Sequence, residues 1–389
     1  MTSLDYAHVS RPWSAAISVA APEPARFYVS IIGQALRYGL PARRRFGAAW
    51  AFAGRNGIPE RPLAAAVRRL PRRARPDLDE LVEMTLAAWD DLTARAAGDL
   101  PRPAAPGVLE LQRSAGRTVF VFGDAPRPLV VLRESTAARG AEVREAAALR
   151  EAEPAAIAPR HLGRVGAAEA QEGLQGTPLV VGPMTPDRAS ALTWTPRLAA
   201  LSDALERLAA TTAKPGFAEQ LRRPTERALA DGKLAPAARR ALEAAWRDVQ
   251  RVDASVLRHH DTSPQNCLFS GDHLDGIVDW EWAEPQGAPG FDLWNAALSY
   301  TEYGIGLVRW SQEIVLDVFE RAWRDSSFWQ TARADGRRTA AAAGVPEHAL
   351  DSLEVVFFGS RVGDRLNRKI ADYPTTDVTA ARMLEIASA

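Results

Sequence analysis

Apolar and polar positions repeat with different periods along the chain, and the changes of period divide it into three. Between residues 106 and 186 the repeat is short and strand-like. Val108-Leu109-Glu110-Leu111-Gln112, Thr118–Phe122 and Pro128–Arg133 predict three strands, separated by turns at Ser114-Ala115-Gly116 and Gly123–Pro126. The pattern predicts a helix over 137–151, ended by Pro154 and Pro159, then strands near Leu162–Val165 and at Pro178-Leu179-Val180-Val181. From 187 onward the repeat is helical. Leu198–Ala210 is amphipathic, and Pro236–Val252 carries Leu242, Ala245, Trp246 and Val249 on one face. After 295, Leu307, Trp310, Ile314, Val318, Phe319 and Trp323 step along one helical face and are predicted core. Before 105, helical spacing recurs in Phe27, Val29, Ile31, Ile32, Ala35 and Leu36, and again from Leu78 to Leu92. Pro101, Pro103, Pro106 and Gly107 mark a linker. The expectation is an α+β chain: a helical, arginine-rich N-terminal segment (1–105), a small sheet-plus-helix unit (106–186) and a helical unit (187–389).

One stretch breaks the helical repeat of the last unit. His259-His260-Asp261-Thr262-Ser263-Pro264-Gln265-Asn266 is a loop that Pro264 keeps from being helical. Cys267-Leu268-Phe269, a Ser270-Gly271-Asp272 turn and Leu274-Asp275-Gly276-Ile277-Val278 then predict a hairpin ending at Asp279. A hairpin brings its far ends together, so Asp279 returns beside Asn266. An amide and a carboxylate side by side suit Mg²⁺, a hard cation that takes oxygen ligands and shares its shell with phosphates. Asp261, five residues before Asn266, suits a base that accepts a hydroxyl proton. Together these are the parts needed for phosphoryl transfer.

The order His259-x-Asp261-x-x-x-x-Asn266, hairpin, Asp279 resembles the catalytic core of the aminoglycoside phosphotransferase and choline kinase superfamily. These are small-molecule kinases with a two-lobed, protein-kinase-like fold. The likeness runs on through Trp280-Glu281-Trp282 and Gly287-Ala288-Pro289-Gly290-Phe291-Asp292-Leu293. The resemblance implies ATP and Mg²⁺ as cofactors and a hydroxyl-bearing small molecule as acceptor. It makes Asp261 the catalytic base, Asn266 and Asp279 the metal ligands, and His259 and Asp292 supports of the loop. It also requires a cation on the third strand, tethered by a glutamate on the next helix. No lysine precedes Lys214, so Arg133 takes that place, with Glu145 in Arg144-Glu145-Ala146 as tether and Glu142 as its substitute one turn away. Gly182-Pro183-Met184 reads as the hinge that meets the adenine, with Leu179, Val181 and Met184 as apolar walls. Glu281 and Trp282 are candidates for an acceptor wall, as are Trp294, Tyr300 and Tyr303. His260 departs from the family, which usually has glycine there. The glycine loop is thin, with one glycine in Ser114-Ala115-Gly116-Arg117.

Composition narrows the function classes. The 389-residue chain is 47% hydrophobic and 25% charged with zero net charge, which gives no global field for a nucleic acid. Cys267 is the single cysteine, which excludes an internal disulfide framework. The start of the chain has no signal-peptide form and no apolar run approaches membrane-spanning length, so a cytoplasmic protein is expected. Three of the 48 basic residues are lysine, an arginine bias that weakens arguments from any single guanidinium. From Arg26 to Arg75, 12 arginines face one acid, Glu60. A solvated face under that bias is preferred to contact with an anionic membrane or polymer, although Trp50 and Phe52 nearby suit the latter. The leading function is an ATP- and Mg-dependent phosphotransferase acting on a sugar, aminoglycoside or amino alcohol. The alternatives are a catalytically weak, pseudokinase-like nucleotide-binding scaffold, and a kinase recruited to a membrane or polysaccharide by its N-terminal segment.

Overall fold

The computed structural model describes residues 16–20, 25–31, 34–40 and 76–388. Excepted within the last span are 97, 105, 114–115, 124–127, 136–140, 180, 183, 217–218, 233, 307–311 and 368–376. The first half holds a six-stranded antiparallel sheet. Its strands are β1 (Ala16–Ala20), β4 (Gly107–Arg113), β5 (Gly116–Phe122), β6 (Pro128–Ser135), β7 (His161–Val165) and β8 (Ala168–Glu172), in the order β1-β4-β5-β6-β8-β7. Strands β2 (Ala25–Ile31) and β3 (Gln34–Leu40) pair separately as a hairpin. The helical reading of Phe27–Leu36 therefore does not hold. Phe27, Val29 and Ile31 also satisfy the two-residue repeat of a strand, and antiparallel pairing decided between the periods.

Helices α1 (Pro76–Ala87) and α2 (Trp89–Thr93) keep the helical form expected of them. Leu81, Trp89 and Leu92 join Val119, Val121, Val130, Leu132, Leu162 and Val165 in one core, so these helices pack on the sheet. The buried Trp89 indole donates to the Leu100 carbonyl at 3.0 Å, which ties the following linker to the same layer. Helix α3 (Ala141–Ala152) follows β6. It sends Ala148, Leu149 and Ala152 into the core of the helical half.

How the sheet hands over to the helices corrects one expectation. Strand β8 lies between β6 and β7, with Val130 opposite Glu172, and it leaves the sheet at Gly173. There the Gly173 N–H donates to the Leu129 carbonyl at 3.0 Å. After residues 173–176, the chain forms the two-residue strand β9 (Thr177–Pro178), which pairs with Leu268 and Phe269 of a later hairpin and not with the sheet. The expected strand Pro178–Val181 is reduced to this contact. The crossing is thus 173–176, and Gly182 and Met184 lie beyond it. The Met184 N–H is spent on the Gly304 carbonyl at 2.8 Å and its side chain sits in the helical core. Met184 cannot offer that amide to an adenine.

The helical half comprises α4 (Pro186–Ala189), α5 (Pro196–Thr212), α6 (Arg222–Ala230), α7 (Pro236–Val249), α8 (Phe291–Gly306), α9 (Gln312–Asp325), α10 (Ser327–Ala342), α11 (Glu347–Asn367) and α12 (Asp377–Ala387). Thr195 starts α5: its hydroxyl accepts from the Leu198 N–H at 3.3 Å, with Pro196 at the first helical position. Ala238, Leu242, Ala245, Trp246 and Val249 are the buried face of α7, as their spacing predicts. Val318, Phe319 and Trp323 of α9 pack with Trp329 and Phe358 as core, while Leu307 and Trp310 lie outside the described residues. Trp294 is fully buried against Phe291 and Phe357, and Tyr300 stacks on Phe328. Trp294 is therefore core and not an acceptor wall. Between α7 and α8 runs the strand-rich insert that carries the site: β10 (Val256–Arg258), β11 (Cys267–Ser270), β12 (His273–Ile277) and β13 (Glu284–Gly287). No helix of the described residues is long and apolar enough to cross a membrane.

The crossing point has no room to spare. A Cβ on Gly173 would lie 2.0 Å from the Pro128 carbonyl oxygen, a backbone atom that cannot swing away. Gly173→Ala should destabilise the protein by about 1–3 kcal/mol or more, seen as a lower urea midpoint. An unchanged midpoint would show that this crossing tolerates a side chain.

Candidate active site

The loop after β10 is held from below by one carboxylate. Asp292, in the first turn of α8, accepts the His259 N–H at 2.6 Å and the His260 N–H at 2.9 Å. Thr262 donates its hydroxyl to the Asp292 carbonyl at 2.5 Å, and Asn295 reaches Thr262 at 3.4 Å. Arg258 lies 3.4 Å from the same Asp292 carboxylate and 3.4 Å from Glu284 on β13. Buried polar groups are costly unless paired, and Asp292 pairs the two backbone N–H groups of this loop.

His259 joins loop and hairpin. Its Nε2 donates to the Val278 carbonyl at 2.9 Å, while Nδ1 accepts the Asp261 N–H at 3.2 Å. Trp280 meets the ring edge-on at 4.6 Å and donates its indole N–H to Ile277 O at 2.7 Å. With one nitrogen donating and the other accepting, the ring is neutral. Burial lowers its pKa below the usual histidine value, despite the nearby carboxylates of Asp292, Asp261 and Asp279. His259 thus bridges the loop and the end of the hairpin.

The hairpin does what its sequence predicts. Cys267 pairs with Ile277, and the Val278 N–H donates to the Asn266 carbonyl at 2.9 Å, so Asn266 and Asp279 end up adjacent. Asn266 Nδ2 donates to the Asp261 carbonyl at 3.0 Å and to the Asp261 carboxylate at 3.1 Å. Those bonds fix the amide so that its Oδ1 is the atom left to face a ligand. His260 and Asp279 both have left-handed backbones, at φ 75° and 74°, a conformation that costs about 1–2 kcal/mol for a residue with a side chain. At Asp279 it turns the chain sharply into the single turn Trp280–Trp282. Burial would raise the pKa of Glu284, but His260, 3.5 Å away, and Arg258 outweigh it and hold the carboxyl below its usual range. Cys267 is buried, and burial pushes its thiol up, so it is no nucleophile.

Arg133, on β6, brings the sheet to this cluster. Its Nη1 lies 2.9 Å from Asp279 Oδ1 and 3.2 Å from Glu145 on α3. Burial opposes the charged guanidinium, but the two carboxylates prevail and its pKa is raised. Asp261, Asn266, Asp279, Arg133 and Glu145 are thus brought together from three separate stretches of chain. Glu281 adds its field to Arg133, and Trp282 is 57% exposed at the edge of the same turn. Gly182 and Met184 are not brought there. Ser114 and Ala115 of the thin glycine loop lie outside the described residues, as does most of the 26–75 arginine patch.

A metal fits this donor set. Asn266 and Asp279, adjacent at the end of the hairpin, both carry hard oxygen donors. Among the described residues there is no group of three His, Cys, Asp or Glu that could hold a metal. Sequence reasoning missed Arg258 and Thr262. A charged residue ending the apolar run Val256-Leu257-Arg258 was the one available signal for Arg258.

The model of the phosphotransferase enzyme family matches residues 108–335. No curated protein matches the sequence. Among solved structures, a choline/ethanolamine kinase family protein from Mesorhizobium loti is 16% identical, with a TM-score of 0.37, over 78% of this chain and 99% of its own. The macrolide 2'-phosphotransferase MphH from Brachybacterium faecium is 18% identical, with a TM-score of 0.37, over 77% and 97%. A thermostable mutant of aminoglycoside phosphotransferase APH(4)-Ia, in a ternary complex with ADP and hygromycin B, is 14% identical, with a TM-score of 0.42, over 72% and 92%.

The buried neutral imidazole makes stability depend on pH. The folded chain resists protonating His259, whereas the unfolded chain takes up that proton below about pH 6.5. Stability should therefore fall as pH drops below about 6.5, by up to roughly 1.4 kcal/mol per pH unit from this group. Urea midpoints between pH 7.5 and 5 would follow it, and His259→Gln should flatten the slope. Equal slopes in both proteins would assign the effect to other groups.

Proposed function

The chain belongs to the phosphotransferase enzyme family, and from that premise we propose that it moves the γ-phosphoryl group of ATP, with Mg²⁺, to a hydroxyl of a small molecule. The observation that carries this reading is the meeting of Asp261, Asn266, Asp279 and Arg133 where the sheet faces the catalytic loop. Asp261 accepts the proton of the acceptor hydroxyl as its oxygen attacks the γ-phosphorus and the bond to the bridging oxygen of ADP breaks. Asn266 Oδ1 and Asp279 are the residues that hold Mg²⁺, which when bound neutralises phosphate charge. Arg133 supplies a further positive charge toward the phosphates, with Glu145 restraining it. His259 and Asp292 hold the loop and touch no reacting atom. The adenine lies against the 173–176 crossing, where Leu174, Gln175 and Gly176 make no backbone hydrogen bond among the described residues.

Positioning and charge stabilisation do most of the work in such a transfer. Asn266 fixes the Asp261 carboxylate by its amide, and the left-handed backbone at Asp279 aims that carboxylate across the hairpin end. The acceptor is a compact polyhydroxyl or amino-alcohol compound. Glu281 and Trp282 offer it a carboxylate and an exposed ring.

ADP release over a panel of sugars, aminoglycosides and amino alcohols is the direct test. At least one acceptor should stimulate release, and Asp261→Asn should cut the stimulated rate by about 10²–10⁴-fold while leaving ADP affinity near the native value. Asp279→Asn should weaken Mg·ADP binding measured by calorimetry. No stimulation by any panel member, or full stimulated turnover retained in Asp261→Asn, would remove the proposal.

A further inference from the structure

One guanidinium serves several acids at this site. Arg133 Nη1 is 2.9 Å from Asp279 Oδ1 and 3.2 Å from Glu145 Oε1, and Glu281 contributes to the same field. The Arg133, Glu145 and Asp279 side chains are 12%, 7% and 14% exposed, so water screens these contacts little. Asp279 cannot easily turn away, because its left-handed backbone is fixed by the hairpin end before it and the Trp280 turn after it.

We propose that Arg133 is a built-in competitor of the divalent cation at Asp279, so that the site takes up metal together with nucleotide and admits free metal poorly. The inference rests on the reading of Asp279 as a metal ligand. Mg²⁺ needs carboxylate lone pairs and gives up water reluctantly. A free cation must displace a buried, charge-assisted hydrogen bond and leave the guanidinium with Glu145 and the field of Glu281. Nucleotide phosphates change that balance, because they offer the guanidinium new oxygen partners as the metal arrives. Glu145 is then the place where Arg133 is parked during the exchange, and Arg133 acts as a positioning residue for Asp279 as well as a phosphate ligand.

The test needs no acceptor and no turnover. Mn²⁺ is titrated into nucleotide-free native protein, Arg133→Gln and Glu145→Gln, with free Mn²⁺ read by electron paramagnetic resonance. Removing the competitor should tighten Mn²⁺ binding by at least about tenfold in Arg133→Gln. Glu145→Gln leaves the guanidinium wholly to Asp279 and should weaken binding. General loosening of the fold would move both variants the same way, so opposite shifts are diagnostic. Unchanged or weaker binding in a folded Arg133→Gln, or shifts in one direction for both variants, would overturn the proposal. If Arg133→Gln does not fold, Arg133→Met is used. It keeps an unbranched apolar stem and removes the charge, and Mn²⁺ affinity equal to that of the native protein would overturn the proposal. Failure of the underlying reading has a separate signature: Asp279→Asn would then leave Mg·ADP binding unchanged.

Discussion

The Asp292 carboxylate is the constraint on which the site depends. It accepts two consecutive backbone N–H groups, from His259 and His260, and faces the Arg258 guanidinium. A loop whose amides are tied at two successive residues has almost no freedom left. His260, the second of these residues, has a left-handed backbone. Asp261 then emerges with its own N–H on His259 and its carboxylate against Asn266. Charge-assisted hydrogen bonds to backbone are among the stronger buried interactions, which suits a support that must not shift during chemistry.

The catalytic hairpin was legible from sequence because its geometry is local. Pro264, the Ser270-Gly271-Asp272 turn and the fixed spacing from Asn266 to Asp279 leave few ways to arrange the strands. Arg133 and Glu145 were reachable only through the resemblance, since nothing in their own neighbourhoods distinguishes them from other charged residues in an arginine-biased chain. The crossing between sheet and helices was misread for a physical reason. Pro178-Leu179-Val180-Val181 has the better strand propensity, but pairing partners decide strands: β8 had β6 and β7 beside it, whereas Leu179 met the catalytic loop. The two glycines at 173 and 176 were the overlooked signal. At 27–36 the apolar residues fit both periods, and sequence alone could not choose.

Two kinds of charge pairing share the site. Around Asp292 the bonds run from backbone to carboxylate and fix geometry. Around Arg133 they run between side chains that can exchange partners. The first kind builds a platform, and the second is the pairing on which the proposed competition at Asp279 rests. His259 links them, with one nitrogen on the loop and the other on the strand that ends at Asp279.

Helices α1 and α2 change what counts as the smaller lobe. Leu81, Trp89 and Leu92 are not an appendage's own interior; they are half of the oil beneath Val119, Val121 and Leu132. A shortened polypeptide beginning after the proline-rich linker would present that strand face to water, and stickiness, not lost recruitment, would dominate its behaviour. Because Ala16–Ala20 also pairs with Val108–Gln112 at the edge of this sheet, a cut just upstream of Pro76 would still strip a strand from it.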